Sequence, residues 1–123
     1  MNSMALQSTA QQFRDAGAPF LSARLLAEGL GVTLTELASL AGVARNTLTA
    51  KSGARKVDQA LSPVVRIVAM ASEMAGDESR AAIWFKHQPL PGWAGKTAYD
   101  LVRERKADKV NAYLEAVRSG VYA

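Results

Sequence analysis

The stretch TLTELASLAGVARNTLTAK, from Thr33 to Lys51, decides the fold because it has the spacing of a helix-turn-helix. Thr33 is placed to cap a first helix, with Glu36 three positions later completing a capping box. The apolar residues that follow recur at helical spacing on one face, namely Leu34, Leu37, Ala38 and Ala41. This half of the motif is therefore predicted to be a short amphipathic helix.

Gly42 permits the tight turn that follows, with Val43 packed beneath it. A second helix is predicted from Arg45 to Ser52, with Leu48 pointing inward. Ala44 stands where a Ser or Thr N-cap is expected, which gives up about 1 kcal/mol of stabilisation at the helix end. The second helix is thus predicted to depend on packing more than on capping.

The polar side chains around this turn are of the types that contact DNA. Guanidinium groups read guanine edges, Asn reads adenine, and Thr and Lys bind phosphates. Lys51 replaces a commonly apolar residue, so we expect its stem to lie over the core. The residues KSGARKVDQ, 51–59, are interpreted as a basic linker that adds phosphate contacts. The predicted DNA-binding residues are Thr35, Arg45, Asn46, Thr47, Thr49, Lys51, Arg55 and Lys56.

Composition predicts a compact protein with an uneven charge. The chain has 123 residues, of which 49% are hydrophobic, and a net charge of +4. Residues 1–57 carry six Lys and Arg against three Asp and Glu, whereas residues 58–123 carry nine against eight. The excess positive charge lies with the helix-turn-helix, as phosphate binding requires. We therefore predict a DNA-binding and dimerisation domain with an amino-terminal arm over 1–57, and a helical domain over 58–123.

The side chains that most enzymes and metal sites need are scarce. The chain has no cysteine and a single histidine, His87, and its carboxylates are scattered. The GKT of residues 95–97 is not a phosphate-binding loop, because Leu90 occupies the position of the first glycine. We expect no catalytic residue, no metal and no cofactor. Without a signal sequence or a long apolar segment, the expected location is the cytoplasm, with no membrane contact.

On the amino-terminal side of the motif, one braced helix is predicted. Residues 1–17 are small and polar around Phe13, which is typical of a frayed or weakly helical arm. Pro19 suits the first turn of a helix that ends at Gly29 or Gly31. Its apolar stripe consists of Leu21, Leu25 and Leu26.

On the carboxy-terminal side, the pattern predicts a long buried helix. Ser62-Pro63 is interpreted as its N-cap and first residue, and Gly76 as its end. Few polar residues interrupt it, so it is either the central helix of the domain or part of a subunit interface. Its apolar residues are Val64, Val65, Ile67, Val68, Met70, Ala71 and Met74.

Three shorter helices are predicted beyond Gly76. Asp77 caps the first, in which Ala81, Trp84 and Phe85 form an inward edge, with Trp84 in the core. The loop 88–96 carries Trp93, which we expect to be exposed. Thr97 and Asp100 resemble a capping box, and a last helix is expected from Ala107 to Ser119, before Gly120. Because no run alternates over more than a few positions, the predicted class is all-α. The apolar face of the last helix comprises Val110, Tyr113, Leu114 and Val117.

From Ala60 onward, the sequence resembles the toxin-binding domain of the Xre/MbcA/ParS group of type II antitoxins. The likeness is carried, in order, by Leu61-Ser62, by the AxxWF block of 81–85, by the segment from Leu90 to Thr97 and by the closing GVYA of 120–123. Asp100-Leu101, Val110 and Leu114 continue it, and with the Xre-like helix-turn-helix it covers about 100 residues.

This resemblance implies an antitoxin that covers the active site of a RES-domain toxin, an enzyme that degrades or uses NAD. It also implies a homodimer that binds operator DNA and represses the shared promoter. The short aromatic tail suits a pocket entrance, because Tyr122 combines an apolar body with a polar tip. The residues that we assign to the toxin contact are Trp93, Lys96, Arg118, Val121 and Tyr122.

Two other interpretations remain open from the sequence. The chain can be a stand-alone helix-turn-helix regulator whose second half dimerises or senses a ligand. It can also be a helical adaptor that binds a protein partner and uses its positive charge for solubility. A neighbouring gene for a RES-type toxin separates the first interpretation from the second, and promoter binding separates both from the third.

Overall fold

A computed structural model describes residues 9–50 and 52–120. No strand forms in this part of the chain, although isolated bridges pair Arg14 with Leu21 and Pro89 with Thr97. The predicted all-α class is confirmed. Residues 9–12 are helical, and seven further helices follow: α1 (Ala23–Leu30), α2 (Leu34–Ala41), α3 (Arg45–Thr49), α4 (Ala54–Ala75), α5 (Glu78–His87), α6 (Ala98–Arg103) and α7 (Ala107–Arg118).

Helix α4 is the central element. It packs against α5 and α7, and also contacts α1 and α2. Its buried side chains surround much of the helix, which confirms that it is buried on more than one side. They are Val57, Leu61, Val64, Val65, Ile67, Val68, Ala69, Met70 and Ala71.

The predicted start of α4 was wrong, and so was the linker before it. The helix begins at Ala54, directly after Gly53 at φ 81°, so residues 54–59 are helical. Val57 and Leu61 are already buried, because the apolar stripe starts one turn earlier than the Ser-Pro pair suggests. Pro63 therefore lies inside the helix, where its ring removes one backbone hydrogen bond. Helix α4 also runs across residues 57 and 58, the limits of the two predicted domains.

The segment before α1 is packed against the core. Phe13 is buried beside Gly29, where an added Cβ would lie 2.6 Å from the ring. Ser22 caps α1 by accepting a hydrogen bond from the backbone N–H of Leu25, so the start predicted at Pro19 was wrong. The end at Gly31 is confirmed. Residues 9–17 are thus anchored, while the rest of the predicted arm lies outside the described residues.

Most helix ends beyond α4 agree with their predicted signals. Gly76 ends α4, Asp77 caps α5, and Thr97 forms a capping box with Asp100 at the start of α6. The side-chain environments agree less well. Met74 was expected to be buried but is 39% exposed. Trp84, predicted in the core, and Trp93, predicted to be exposed, are both half-buried. At these three positions, the location of the residue on its helix or loop determines its exposure more than its hydrophobicity does.

Two contacts join α2 to the last third of the chain. The Tyr99 hydroxyl on α6 donates to Oε2 of Glu36 over 3.0 Å. The Arg105 guanidinium donates to the carbonyl of Ser39 and lies over Gly42. The region of the glycine turn is therefore held directly by residues that follow it by more than sixty positions.

Candidate functional site

The described residues predicted to bind DNA lie on the first turn of α2, on helix α3 and on the first turn of α4. We call these three segments the basic surface, and Leu34, Thr49 and Ala54 of the three segments line one hollow. Thr35, Arg45, Asn46 and Thr49 are exposed, and Thr47 is half-buried. Arg55 and Lys56 are exposed as well. Lys51, with the stem that we expect over the core, lies outside the described residues.

Local sequence shapes α2 and the turn after it in the predicted way. The Thr33 hydroxyl accepts from the backbone N–H of Glu36, and the Glu36 carboxylate accepts from the N–H of Thr33, both over 3.0 Å. Gly42 ends α2 at φ 74°, in the left-handed region that glycine adopts without strain. Leu48 of α3 is buried, as predicted.

Helix α3 is shorter than predicted. It ends at Thr49 instead of Ser52, since Ala50 adopts an extended backbone with φ −68° and ψ 142°. No side chain caps its start at Ala44, and two of its five residues are threonines of low helix propensity. The chain then turns at Gly53 to begin α4. The basic surface therefore combines the first turn of α2 with the five-residue α3 and the start of the longer α4.

The longest side chains of the basic surface have no partner within the described residues. Neither Arg45 nor the Asn46 side chain makes a hydrogen bond or an ion pair there, and the same is true of Arg55 and Lys56. Thr49 differs, because its hydroxyl donates to the carbonyl of Asn46 over 3.4 Å. These unpaired groups are available to an anionic or hydrogen-bonding ligand.

Arg55 and Lys56 belong to the first turn of a 22-residue helix, not to a linker. The amino-terminal end of a helix carries a partial positive charge and free N–H groups, so it attracts anions. Acidic residues normally occupy this turn, yet α4 has none there. The end of the helix and the side chains of Arg55 and Lys56 therefore both contribute positive charge at the start of α4.

Beside the basic surface, Glu36 has an unusual environment. The Thr33 backbone N–H, followed by the Tyr99 hydroxyl, lowers the pKa of the Glu36 carboxyl from its ordinary value. Burial, together with the hydrogen bond to Glu36, raises the pKa of Tyr99. The carboxylate is therefore held ionised next to α6 and engaged by two partners.

A second surface, which we call the apolar face, lies at the other end of α4. Ile83 is 61% exposed and Met74 39% exposed, and the half-buried Trp84 lies between two hollows. One hollow, of about 220 Å³, is lined by Ala71, Met74, Ala75, Trp84 and Leu114. The other, of about 260 Å³, is lined by Arg80, Ile83, Trp84, His87 and Gln88.

The sequence interpretation missed Ile83 and Met74 as surface residues. A signal was present for Ile83, because Ala81 and Phe85 point inward and a residue two positions from each must point outward at 100° per residue. Met74 follows a continuous apolar run, so no change in residue type marks the end of burial. Position on the helix was the better indicator in both cases.

Two of the predicted toxin-contact residues lie close together, but the third is distant. Lys96 pairs with Glu104 at 2.7 Å, and Lys106, at 3.5 Å from the same carboxylate, lies over the Trp93 ring at 5.5 Å. Lys96 is the main cause of the lowered pKa of Glu104. Arg118 pairs with Glu115 at the opposite end of α7. Val121 and Tyr122 lie outside the described residues.

Two other kinds of feature are absent from the described residues. None of the helices in 9–50 and 52–120 has the length and hydropathy needed to cross a membrane. No group of three or more metal-ligating side chains occurs in the same residues.

Comparison with known proteins identifies one similarity. Residues 70–120 match the family model of the antitoxin Xre/MbcA/ParS C-terminal toxin-binding domain. No curated protein and no solved structure matches the chain. The matched range contains the whole apolar face, together with Trp93, Lys96 and Arg118. The match supports an antitoxin role in a toxin–antitoxin system, in a family whose members are typically not enzymes.

Proposed function

We propose that this protein is the antitoxin of a type II toxin–antitoxin pair, which binds its toxin through residues 70–120 and its own operator through the basic surface. The match of residues 70–120 to a toxin-binding domain carries the proposal. The protein acts by binding, without a reaction of its own, in the cytoplasm where its two partners occur.

The apolar face is the proposed docking surface for the toxin. Large exposed apolar side chains next to hollows characterise protein interfaces, because burying them in a complex removes apolar area from water. Ile83 and Met74 are the large hydrophobic side chains that the described residues expose, and both lie in the matched range. Arg80 and His87 line one hollow of this face and offer polar groups for hydrogen bonds to the toxin, although Arg80 also pairs with Asp77 at 3.4 Å.

The proposed toxin is a RES-domain enzyme that consumes NAD, as the family resemblance implies. Co-expression with this toxin, followed by measurement of cellular NAD, tests the pairing. With the wild-type antitoxin we expect NAD to stay at the level of cells without toxin. Depleted NAD despite soluble antitoxin would disprove a RES partner.

A matched pair of variants tests the docking surface. Ile83→Asp places a charge in the proposed interface, and we expect it to abolish copurification with the toxin. Ala112→Asp introduces the same group at an exposed position on α7 and serves as the control. Both variants should melt at the wild-type temperature, because neither position is buried. Toxin binding by Ile83→Asp equal to that of the control would show that the toxin docks elsewhere.

The proposed DNA function predicts two different losses. A homodimer on an inverted repeat is the expected arrangement, with one basic surface in each half-site. Arg45→Ala removes a side chain at the start of α3 and should cost about 1–3 kcal/mol on the operator only. Arg55→Ala removes a phosphate contact and should weaken binding to all sequences alike. Binding titrations on operator and scrambled DNA at several salt concentrations distinguish them, and equal losses on both DNAs for Arg45→Ala would contradict base reading.

A further inference from the structure

A cavity of about 520 Å³ lies between the amino-terminal segment and α4, away from the apolar face. Its volume falls in the range of about 300–1,000 Å³ that small-molecule sites occupy. Apolar walls are formed by Ala10, Leu21 and Val65, and polar groups come from both sides. The polar residues that line it are Gln11, Arg14, Asp58, Ser62 and Arg66.

The cavity carries an unbalanced positive charge. Arg14 and Arg66 both line it, and neither forms an ion pair within the described residues. Nε of Arg14 is buried and has no hydrogen-bond partner within the described residues.

The carboxylate in the cavity is already engaged. Oδ1 of Asp58 accepts the backbone N–H of Leu21 over 2.8 Å, which fixes the loop before α1. The Ser62 hydroxyl donates to the carbonyl of Asp58 over 2.7 Å. The lining therefore has two guanidinium groups, those of Arg14 and Arg66, and one carboxylate, that of Asp58, so its net charge is positive.

The residues just before the described segment bring no acidic side chain to the cavity. Residues 1–8, MNSMALQS, precede the cavity in sequence and contain no Asp or Glu. Their side chains offer neutral acceptors alone, which do not balance a second guanidinium.

We propose that this cavity binds a small molecule through an anionic group, a carboxylate or a phosphate, held between Arg14 and Arg66. Guanidinium groups form short, charge-assisted hydrogen bonds with such groups, often in pairs. The apolar walls take the body of the ligand. The ligand connects residues 9–14 to α4, so its binding stabilises the attachment of the amino-terminal segment. This site is separate from the surfaces proposed for toxin and DNA.

Shape favours a small ligand over the DNA backbone. The polar groups line a hollow between two helical segments, whereas phosphates of a duplex are contacted by side chains that project from an open surface. The residues of the basic surface project in that second way. A DNA contact at Arg14 and Arg66 is therefore an outcome for the experiment to exclude.

The test is an NMR titration of the full chain that follows the arginine Nε–Hε signals. Inorganic phosphate is added in one series and acetate in the other, with chloride replaced to keep the ionic strength constant. We expect saturable shifts at Arg14 and Arg66, and the anion with the tighter saturation identifies the preferred group. Arg66→Gln, at an exposed position, should weaken the apparent affinity read at Arg14 about tenfold or more. Lys109→Gln removes the same charge from exposed α7 and should leave the shifts intact.

Three results would overturn the proposal. The first is the absence of saturable shifts at Arg14 and Arg66 with either anion. The second is a similar response at all exposed arginines, Arg45 and Arg55 included, which would indicate general anion screening. The third is a shift of Arg14 and Arg66 by operator DNA but not by the small anions, which would assign this side of the molecule to DNA.

Discussion

At the residue scale, single side chains from the last third of the chain reach back to α2. Tyr99 engages Glu36, and it also contacts the Phe85 ring edge-to-face at 6.1 Å between centroids. Arg105 engages Ser39 from a backbone at φ 66°, which is strained for a residue with a side chain. These contacts attach α2 to α6 and to the loop that follows α6.

Tyr99→Phe should raise the pKa of Glu36 toward its ordinary value while leaving it below, because the Thr33 backbone N–H, the larger cause, remains. A carboxyl with a lowered pKa in the folded state stabilises the protein above its unfolded pKa, and this contribution is lost as pH falls through the folded pKa. The variant should therefore lose less stability than wild type on acidification. A carbon-detected NMR titration measures the pKa, with Glu104 as the internal control. An unchanged Glu36 pKa would mean that the phenol hydrogen bond has no effect in solution.

Gly42→Ala should lower the free energy of unfolding by two separate effects. Alanine at φ 74° costs about 1 kcal/mol or more, and the new Cβ displaces the Arg105 guanidinium from Ser39. The lost hydrogen bond should add about 1 kcal/mol. Denaturant titrations give the free energies.

Gly76→Ala is the matched control for this prediction. Gly76 also has a positive φ, of 92°, but an added Cβ there meets no atom within 4 Å. Gly76→Ala should therefore show only the cost of placing alanine at a positive φ. In an Arg105→Ala background, Gly42→Ala should cost no more than Gly76→Ala, so additive losses would contradict a direct contact between Gly42 and Arg105.

At the scale of the element, α5 places two neighbouring aromatic residues in different environments. Phe85 is fully buried, while Trp84 is half-buried between the hollows of the apolar face. Their difference follows from rotation by one residue along the helix. The same helix therefore contributes to the core and to the proposed toxin contact.

Substitution of this pair should separate stability from binding. Phe85→Ala should cost about 3–5 kcal/mol, the usual result for a buried aromatic residue, whereas Trp84→Ala should cost clearly less. Trp84→Ala should in addition weaken toxin binding beyond its effect on folding. Thermal melts and binding assays on both variants provide the comparison. Equal destabilisation would return Trp84 to the core, as its sequence pattern first indicated.

Three helix starts were predicted correctly from a local signal, whereas the equally local cap at Ser22 was missed. Thr33, Asp77 and Thr97 form their caps with backbone groups three residues away, so the sequence contains all of the information. The start of α4 was not predictable in this way. Ser62-Pro63 is a good local start, but the burial of Val57 and Leu61 extends the helix past it. Tertiary packing here overrides the local preference.

The candidate sites also divide into those that local sequence predicts and those that depend on tertiary packing. Residues of the basic surface are adjacent in sequence, so their grouping was predictable, although the helix that carries Arg55 was not. The cavity at Arg14 and Arg66 depends on packing between distant segments, and no spacing rule connects them. Ile83 could have been found from its rotation on α5.

At the scale of the whole molecule, the described helices share a single cluster of buried side chains. Both proposed binding surfaces lie on this common core, and α4 contributes to each of them. The predicted domains, 1–57 and 58–123, therefore remain a prediction about function rather than a visible separation.

Deleting Val121-Tyr122-Ala123 should leave folding and DNA binding nearly intact but raise toxin activity in the complex. The tail follows Gly120, which has φ 84° just after α7. Cellular NAD during co-expression is the measurement, with Ala112→Asp as the control. NAD as high as with the full-length protein would show that the apolar face is sufficient and that the tail is not part of the block.

The length of α4 sets a distance between its two ends. At 1.5 Å per residue, Arg55 and Met74 are about 30 Å apart along the helix. If both proposed surfaces are used, a toxin docked beside Met74 and phosphates bound at Arg55 contact opposite ends of one rigid helix. Operator and toxin then need not compete for the same part of the protein, so both can be held at once.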